Sequence, residues 1–373
     1  MKSKRKKMRS YKRIIISGGG TGGHIFPAIA IANALKKIDP ATKILFVGAK
    51  GRMEMERVPA AGYEIVGLDI QGIQRKSILK NLALPFKLLG SILKSLRIIR
   101  DFRPDAAVGV GGYASGPLLY AASLKKIPYL IQEQNSYAGV TNKRLGKKAK
   151  KICVAYDGME KFFPADKIVI TGNPIRRESV DITGKHEQGL EWAKLSGDKK
   201  TIFITGGSLG ARTLNKSVLA NIDKIIAADV QLIWQTGKHY YPDVMESFRG
   251  KAPDNIRVME FVDRMDLAYA AADIIISRAG GTISELCAVG KPAILVPSPN
   301  VAEDHQTTNA MSLVAKDAAI FVADKDAQEQ LIDVALELLK DKKKQEVLSE
   351  NISKLALPDA DETIAKEVIQ ITG

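Results

Sequence analysis

Two glycine-rich turns constrain this chain more than any other feature of its 373 residues. One turn occupies residues 18–23 and the other residues 206–211. Each follows a β-branched run that is short enough to be a buried parallel strand, and each precedes a helix-like stretch. Such a strand–turn–helix unit opens one Rossmann-like half, and the N–H groups at its helix start can hold an anion. Two such units predict two nucleotide-type domains that face each other across a cleft.

The order of predicted elements gives the fold class. Strand-like runs alternate with helical segments on both sides of the middle of the chain, which is typical of doubly wound, mostly parallel α/β sheets. The predicted strands are 14–17, 43–48, 64–68, 106–110, 129–132, 151–154 and 168–171, then 201–205, 230–236, 256–260, 273–277 and 293–296. Gly172 and Pro174 interrupt the alternation. Because the chain is too long for one core, we expect domains over residues 14–174 and 175–345.

The net charge of +15 is unevenly distributed. Eight basic residues and no acid lie in residues 1–13, a tail that lacks the apolar region of a signal peptide. This tail is either a solvated extension or a basic arm for anionic lipid or nucleic acid. Neither the two cysteines nor the four histidines show zinc spacing, and no apolar run is long enough to span a bilayer. The cysteines and histidines favour a reduced cytoplasmic protein without a zinc site, and we expect no cofactor.

Residues 78–100 form a basic amphipathic stretch. They contain five basic residues and no acid, and Lys80, Lys87 and Lys94 recur every seven residues beside a broad apolar face. One interpretation is an ordinary helix whose apolar face is core. The other is a face, around Leu82 to Leu89, that enters an anionic membrane surface.

The first glycine turn does not fit a dinucleotide site. Gly18, Gly20 and Gly23 match G-x-G-x-x-G, but the second strand ends in Gly48-Ala49 instead of the acid that would bind a ribose. The Lys-Ser/Thr pair of a P-loop is also absent. What remains is a phosphate-compatible turn with His24 at its mouth. An imidazole there could act as a general base or could simply hydrogen-bond the turn.

Polar residues follow several other predicted strands, at the sheet edge where open α/β sheets bind ligands. In the first half they are a third glycine turn, 109–117, and the segment 132–135. In the second half they are Ser208, the segment 277–286 with Glu285, and the pair Gln306 and Asn309. N–H groups for a diphosphate, with amides and a carboxylate for hydroxyls, suit a nucleotide sugar. Ordinary turn chemistry, or a stabilised helix N-terminus at Glu285, is the alternative for each.

Seven ordered motifs together resemble the MurG family of glycosyltransferases. They are GGGTGGHIFPAIAIANAL, GGYASGPLL, QEQNS, GNPIR, GGSLGAR, RAGGTISEL and EDHQTTNA. The resemblance implies a GT-B fold, in which two Rossmann-like doubly wound domains are separated by a deep cleft and a C-terminal helix, here within 346–373, returns to the first domain. It also implies UDP-GlcNAc as donor and lipid I as acceptor. Further implications are inversion at the sugar, no essential metal, and a peripheral location at the cytoplasmic face of the bacterial plasma membrane.

The resemblance also assigns roles to individual residues. His24 matches the family's proposed base, and Gly111, Gly112 and Tyr113 match a loop associated with the acceptor diphosphate. The positions that match donor-binding residues are Thr21, Gly22, Gly23, Asn135, Arg176, Ser208, Val262, Gly281, Thr282, Glu285 and Gln306. Among these, Val262 would make a backbone contact to the uracil, and Glu285 would bind the ribose.

One loop departs from the family pattern. The family commonly has R-A-G-x-x-T-x-x-E, whereas here Gly280-Gly281 joins directly to Thr282, one residue shorter. We expect the shortened loop to shift the helix start and to weaken donor binding.

Two other functions compete with the transferase. A UDP-GlcNAc 2-epimerase would share the nucleotide-sugar site but not a lipid acceptor, and the glycine-tyrosine loop and the basic amphipathic stretch favour the acceptor. A nucleic-acid-binding protein would explain the charge, but the basic segments lack interleaved aromatics and a known motif. We therefore expect a nucleotide-sugar enzyme at an anionic membrane and no nucleic-acid partner.

Overall fold

A computed structural model describes residues 11–72, 83–207 and 209–372. The described residues form two compact units. The first contains the chain up to Ile175 together with the segment from Asp359 onward, and the second contains Arg176–Pro358.

The first unit is built on a seven-stranded parallel sheet. Its strands are β1 (Arg13–Gly18), β2 (Lys43–Ala49), β3 (Glu64–Leu68), β4 (Ala106–Gly111), β5 (Tyr129–Glu133), β6 (Lys151–Val154) and β7 (Ile168–Ile170). Their order across the sheet is β3-β2-β1-β4-β5-β6-β7, with Ile15 opposite Leu45 on one side and Ala107 on the other. The order reverses between β1 and β4, which is where doubly wound sheets bind ligands.

Helices cover both faces of this sheet. They are α1 (Gly22–Ile38), α2 (Glu54–Ala60), α3 (Leu84–Phe102), α4 (Ser115–Leu124) and α5 (Val140–Gly146), with 3₁₀ turns at Met159–Lys161 and Ala165–Lys167. Alternate residues of β1 point into opposite core layers: Ile15 packs in one, and Ile14 and Ile16 pack in the other. Burial of both faces explains why β1 reads as a continuous apolar run.

The second unit repeats the same design with six parallel strands. These are β8 (Thr201–Thr205), β9 (Gln231–Gln235), β10 (Ile256–Met259), β11 (Ile274–Ser277), β12 (Ala293–Leu295) and β13 (Ile320–Phe321), in the order β10-β9-β8-β11-β12-β13. Its helices are α6 (Arg177–Val180), α7 (His186–Ala193), α8 (Arg212–Ala220), α9 (Ile222–Ala227), α10 (Tyr241–Ser247), α11 (Met265–Ala271), α12 (Thr282–Val289), α13 (His305–Val314), α14 (Ala327–Lys340) and α15 (Lys342–Ser353), with a 3₁₀ turn at Ala302–Asp304. The strand order of this sheet reverses between β8 and β11. The glycine turns at residues 18–23 and 206–211 therefore each follow the first strand of a sheet, next to the point where the strand order reverses.

The C-terminal segment is shared between the units. Residues of α15 such as Leu348 and Ile352 are buried in the second unit, although the sequence placed the returning segment from residue 346. The last helix, α16 (Ala360–Gln370), packs on α1 of the first unit. Its residues Ile364 and Val368 join the core layer behind β1.

Candidate active site

The first glycine turn connects β1 to α1 and is bound by the protein's own carboxylate. Glu54, at the start of α2, is 1% exposed, and its Oε2 accepts a hydrogen bond from the Gly20 N–H at 2.8 Å. The Gly19 N–H donates to the Gly111 carbonyl at 3.2 Å. The N–H groups of Gly22 and Gly23 open α1, where no carbonyl of an earlier helical turn can accept from them. The anion-compatible part of this turn is therefore its helix end rather than the whole loop.

His24 lies in the first turn of α1 and is packed against the turn that follows β4. Its Nδ1 is 3.0 Å from the Gly19 carbonyl oxygen, so the ring nitrogen donates to that oxygen. A Cβ at Gly111 would lie 2.6 Å from the His24 Cδ2, and Gly111 has a φ of +115°. Gly112, with a φ of +87°, likewise packs against the Gly19 backbone. The glycine turn after β1 and the glycine turn after β4 thus pack against each other, and the His24 imidazole lies between them.

Tyr113 continues this second turn with an exposed ring. The Arg52 guanidinium lies 5.7 Å from the centroid of that ring, a cation–π distance. The expected acceptor loop therefore has a cation beside its aromatic side chain.

The polar residues at the end of β5 are mostly buried and form hydrogen bonds inside the first unit. Gln132, Glu133 and Gln134 are buried. The Glu133 carboxylate accepts from the Asn142 Nδ2 at 2.8 Å and from the Gly139 and Asn135 N–H groups, and burial raises its pKa above the usual value. Asn135 is the member of this segment that stays partly exposed, so Glu133 fixes the backbone from which Asn135 projects.

A buried amide cluster ties the end of β5 to the domain junction. Asn173 Nδ2 donates to the Gln134 carbonyl at 3.1 Å, and Asn173 Oδ1 accepts from Gln132 Nε2 at 2.9 Å. These residues hold residues 171–175 on the first unit. The motifs QEQNS and GNPIR are therefore linked physically.

In the second unit, Glu285 is held by a buried tyrosine. The Tyr269 hydroxyl donates to Glu285 Oε2 at 2.9 Å. Burial raises the pKa of the Glu285 carboxyl above its usual value, opposed by the Tyr269 hydrogen bond and by the positive charge of Arg176. Burial also raises the Tyr269 pKa well above its usual value, and the neighbouring Glu285 raises it further. The structure thus brings Arg176 and Glu285 together, with Tyr269 as a third member that the sequence did not reveal.

The loop 279–281 before α12 is held by α13. Asn309 is buried and its Nδ2 donates to the Ala279 carbonyl at 3.1 Å. Gln306 Oε1 accepts from the Ser298 N–H at 2.8 Å, and its Nε2 would lie 3.6 Å from a Cβ at Gly280. Gly281 caps α12 and has open space around its Cβ position, and Thr282 begins the helix. The shortened loop therefore leads directly into α12 at Thr282.

Val262 is buried, and its N–H is already used. That N–H donates to Gln235 Oε1 at 2.9 Å. The Val262 carbonyl is therefore the backbone group that could make the contact that the resemblance implies. Ser208 lies outside the described residues, whereas the flanking Gly207 has a φ of +81° that suits the turn.

The first half of α3 has an exposed apolar face, whereas Arg97, Arg100 and Asp101 are exposed in its second half. Phe86, Leu89 and Leu93 are 78%, 57% and 51% exposed, and the helix packs inward through residues that include Ser91, Ser95 and Ile99. The Lys94 Nζ donates to the Gly67 carbonyl at 2.7 Å. The Lys94 side chain, one of the three lysines that recur every seven residues, therefore points toward the end of β3. Lys80, Leu82 and residues 1–10 of the basic tail lie outside the described residues.

Comparison with known proteins places the chain in a family. The family model for the glycosyltransferase family 28 N-terminal domain matches residues 14–154, and that for the C-terminal domain matches residues 201–364. A Parabacteroides distasonis protein named UDP-N-acetylglucosamine–N-acetylmuramyl-(pentapeptide) pyrophosphoryl-undecaprenol N-acetylglucosamine transferase is 56% identical, over 98% of this chain and 99% of its own. A Bacteroides thetaiotaomicron protein of the same name is 58% identical, also over 98% of this chain and 99% of its own. The chain belongs to the MurG group of glycosyltransferase family 28.

A solved MurG structure agrees with this membership. The crystal structure of the Acinetobacter baumannii MurG superposes on this chain with a TM-score of 0.78 and 29% sequence identity. The aligned region covers 96% of this chain and 99% of the Acinetobacter baumannii chain. The predicted MurG resemblance and the predicted class of two doubly wound Rossmann-like domains are both confirmed.

Among the described residues, no helix is long and apolar enough to cross a membrane. Within the same residues, no group of histidine, cysteine and acidic side chains is arranged to hold a metal ion.

Proposed function

We propose that the chain transfers N-acetylglucosamine from UDP-GlcNAc to the muramyl 4-hydroxyl of lipid I and so makes lipid II for peptidoglycan. The proposal rests on relatives that are named for this transfer and whose sequences are 56% and 58% identical to this chain over 98% of its length. The same full-length identity favours the transferase over the epimerase and over a nucleic-acid-binding protein.

The second unit would bind the donor. The Tyr269 hydroxyl donates to Glu285 Oε2, so Glu285 Oε1 would accept hydrogen bonds from the ribose hydroxyls. The Val262 carbonyl would accept a hydrogen bond from the uracil. Arg176, whose positive charge lowers the pKa of the Glu285 carboxyl, would bind the diphosphate as the family resemblance implies. Gly281, Thr282 and Gln306 would surround the sugar phosphate at the start of α12, with Ser208 from the other turn. In the first unit, Thr21, Gly22, Gly23 and Asn135 would supply the remaining donor contacts.

The chemistry would be a single inverting displacement with His24 as the base. The His24 Nε2 would take the proton from the muramyl 4-hydroxyl while that oxygen forms a bond to the anomeric carbon. The bond from this carbon to the β-phosphate oxygen breaks, and its electron pair leaves with UDP. Gly111, Gly112 and Tyr113 would hold the acceptor diphosphate beside the imidazole, because the same turn packs against it.

The charge that develops on the leaving diphosphate would be offset by fixed donors. The N–H groups at the start of α12 and the Arg176 guanidinium supply positive potential without reorganisation. We expect EDTA to leave turnover unchanged. Abolition of turnover by EDTA, with recovery on adding a divalent cation, would contradict this account.

The exposed apolar face of α3 would dock the enzyme on the cytoplasmic leaflet. Phe86, Leu89 and Leu93 can enter the headgroup region, and the basic tail adds roughly 1 kcal/mol of attraction to anionic lipid per Lys or Arg near the surface. Flotation with anionic vesicles should recover the wild-type chain but little of a variant with all three residues changed to Ser.

A matched control changes three exposed apolar residues of the second unit, Ile226, Val347 and Leu357, to Ser. Equal flotation of the two variants would refute the assignment of α3. Binding to duplex DNA at physiological salt, with no preference for vesicles, would instead support the nucleic-acid alternative.

The deciding experiment supplies UDP-GlcNAc with a short-chain lipid I analogue. We expect disaccharide and UDP to form in equal amounts, with a loss of about 10²–10⁴-fold in kcat for His24→Ala. UDP release without acceptor, or a 2-epimerised sugar, would overturn the transferase assignment.

A further inference from the structure

Glu54 is a buried carboxylate that no role proposed above uses. It is 1% exposed and lies at the first residue of α2. Its Oε1 accepts from the Ala49 N–H at 3.0 Å and its Oε2 accepts from the Gly20 N–H at 2.8 Å. A carboxylate has only acceptor oxygens, and two backbone donors at these distances satisfy both of them. The side chain therefore bridges the end of β2 and the first glycine turn.

The peptide that Glu54 binds is also the one that His24 contacts. The Gly20 N–H and the Gly19 carbonyl are the two ends of one peptide group. The N–H donates to Glu54 Oε2, and the carbonyl oxygen lies 3.0 Å from the His24 Nδ1. A continuous chain of hydrogen bonds thus runs from a buried carboxylate through one peptide to the imidazole.

We propose that Glu54 is a positioning residue that fixes the orientation and tautomer of His24 through the Gly19–Gly20 peptide. A carboxylate that accepts from a peptide N–H polarises that peptide and makes its carbonyl a stronger acceptor. The stronger acceptor favours a proton on the His24 Nδ1, which leaves the lone pair on Nε2. After proton uptake at Nε2, the same chain stabilises the imidazolium. The inference rests on the proposed role of His24 as base.

The sequence around Glu54 is shaped to admit this carboxylate. A Cβ at Gly48 would lie 2.6 Å from the Glu54 Cγ, and a Cβ at Gly19 would overlap its carboxyl group. These two glycines leave the space that the side chain fills. The ribose-binding acid of a dinucleotide fold is absent at the end of β2, and an acid five positions beyond Ala49 folds back onto the turn instead.

Among the described residues, the charged or titratable groups near this pair of turns include Tyr113 and Arg52. Tyr113 belongs to the turn after β4, and the Arg52 guanidinium lies over its ring at 5.7 Å. Neither side chain is altered in the variants below.

The test compares Glu54→Gln with Asp105→Asn in the full chain. Asp105 is a matched control, because its carboxylate also accepts a backbone N–H of β1, that of Arg13 at 2.8 Å, but at the opposite end of the strand. Ring-nitrogen NMR is practical because the chain has four histidines, and a His24→Gln variant assigns the signal. We expect wild type and Asp105→Asn to hold the Nδ1-protonated neutral tautomer, and Glu54→Gln to show a mixture.

Kinetics gives the second readout. Glu54→Gln should lower kcat/KM by about tenfold. Its acid limb should move to lower pH by about half a unit, because an imidazolium that loses a nearby negative charge forms less readily. Thermal unfolding confirms that each variant is folded.

An Nε2-protonated tautomer in the wild-type enzyme would overturn the proposal without any variant. An unchanged tautomer and acid limb in Glu54→Gln would also overturn it. If His24→Gln keeps full activity while Glu54→Gln still shifts the tautomer, the role of His24 as base fails and the positioning by Glu54 stands.

Discussion

Gly111 is required by the imidazole that packs against it. A Cβ there would lie 2.6 Å from the His24 Cδ2, and its φ of +115° is one that side chains rarely adopt. We expect Gly111→Ala to displace the ring and to lower kcat by at least about tenfold, a cost of more than about 1.4 kcal/mol in the transition state. Gly51→Ala is the control, because Gly51 also has a positive φ, +67°, but open space around its Cβ position. Equal losses in the two variants would show that backbone strain, and not the histidine, explains Gly111.

Glu285 places binding in conflict with stability. Because burial raises its pKa in the folded state, the charged form is penalised, and stability falls as pH rises from about 4.5 through the folded pKa. Glu285→Gln should therefore stabilise the ligand-free enzyme at about pH 7.5 by an amount that shrinks as the pH is lowered toward about 4.5. It should also raise the KM for UDP-GlcNAc.

Chemical denaturation at both pH values tests the first effect, and kinetics tests the second. Tyr269→Phe is the companion variant. It removes the hydroxyl that the carboxylate accepts from at 2.9 Å, so it should raise KM without the gain in stability. A Glu285→Gln variant that is less stable than wild type at the higher pH would contradict the expected direction of the effect.

The residues that the sequence did not reveal are those that act through burial. His24, Arg176 and Glu285 stand in recognisable motifs, and the roles given to them remain proposals. Glu54 and Tyr269 belong to no glycine turn, and their partners lie 34 and 16 positions away. Such contacts depend on how the elements pack, which local spacing does not encode. No pattern in the sequence therefore distinguishes Tyr269 from an ordinary core tyrosine.

At the scale of elements, β-branched runs were the most informative signal. The predicted strand 64–68 coincides with β3, and 201–205 coincides with β8. The strand that was missed is β13, which has two residues, Ile320 and Phe321, and pairs with β12. A run that short shows no periodicity. The sequence also left open which side of α3 faces inward, because Ser91 and Ser95 are buried while Phe86, Leu89 and Leu93 remain exposed.

The last helix should contribute stability to the first unit, although it is last in the chain. Ile364 on α16 is fully buried in the core layer that includes residues of β1 and α1. We expect Ile364→Ala to destabilise the first unit by about 2–5 kcal/mol. Hydrogen exchange should show the loss in β1–β7 and not in β8–β13. The control is Ile226→Ala on α9, which removes a partly exposed side chain. Equal effects in both sheets would contradict this assignment.

The loop before α12 is one residue shorter than the family pattern, and the structure has room to lengthen it. Gly281 is exposed with open space at its Cβ position, while Asn309 fixes the loop at Ala279. We expect insertion of one Gly after Gly281 to tighten UDP binding severalfold, because the helix start could then approach the ligand. Insertion of Gly after Gly250, another exposed glycine with open space, is the control. Unchanged UDP affinity, measured by calorimetry, would show that the shorter loop has no effect on donor binding.

At the scale of the whole molecule, the two units share one strand order over six strands, to which the first unit adds β7. The uracil and ribose contacts assigned to UDP, at Val262 and Glu285, belong to the second unit. A ligand that binds only the folded state stabilises it by about 2.7 kcal/mol at about a hundred times its Kd. UDP at that concentration should therefore slow hydrogen exchange in β8–β13 far more than in β1–β7. Glu285→Gln should reduce the protection at the same UDP concentration, because its weaker affinity lowers the ratio of ligand to Kd. Equal protection of both sheets would contradict the assignment of the uracil and ribose contacts to Val262 and Glu285 of the second unit.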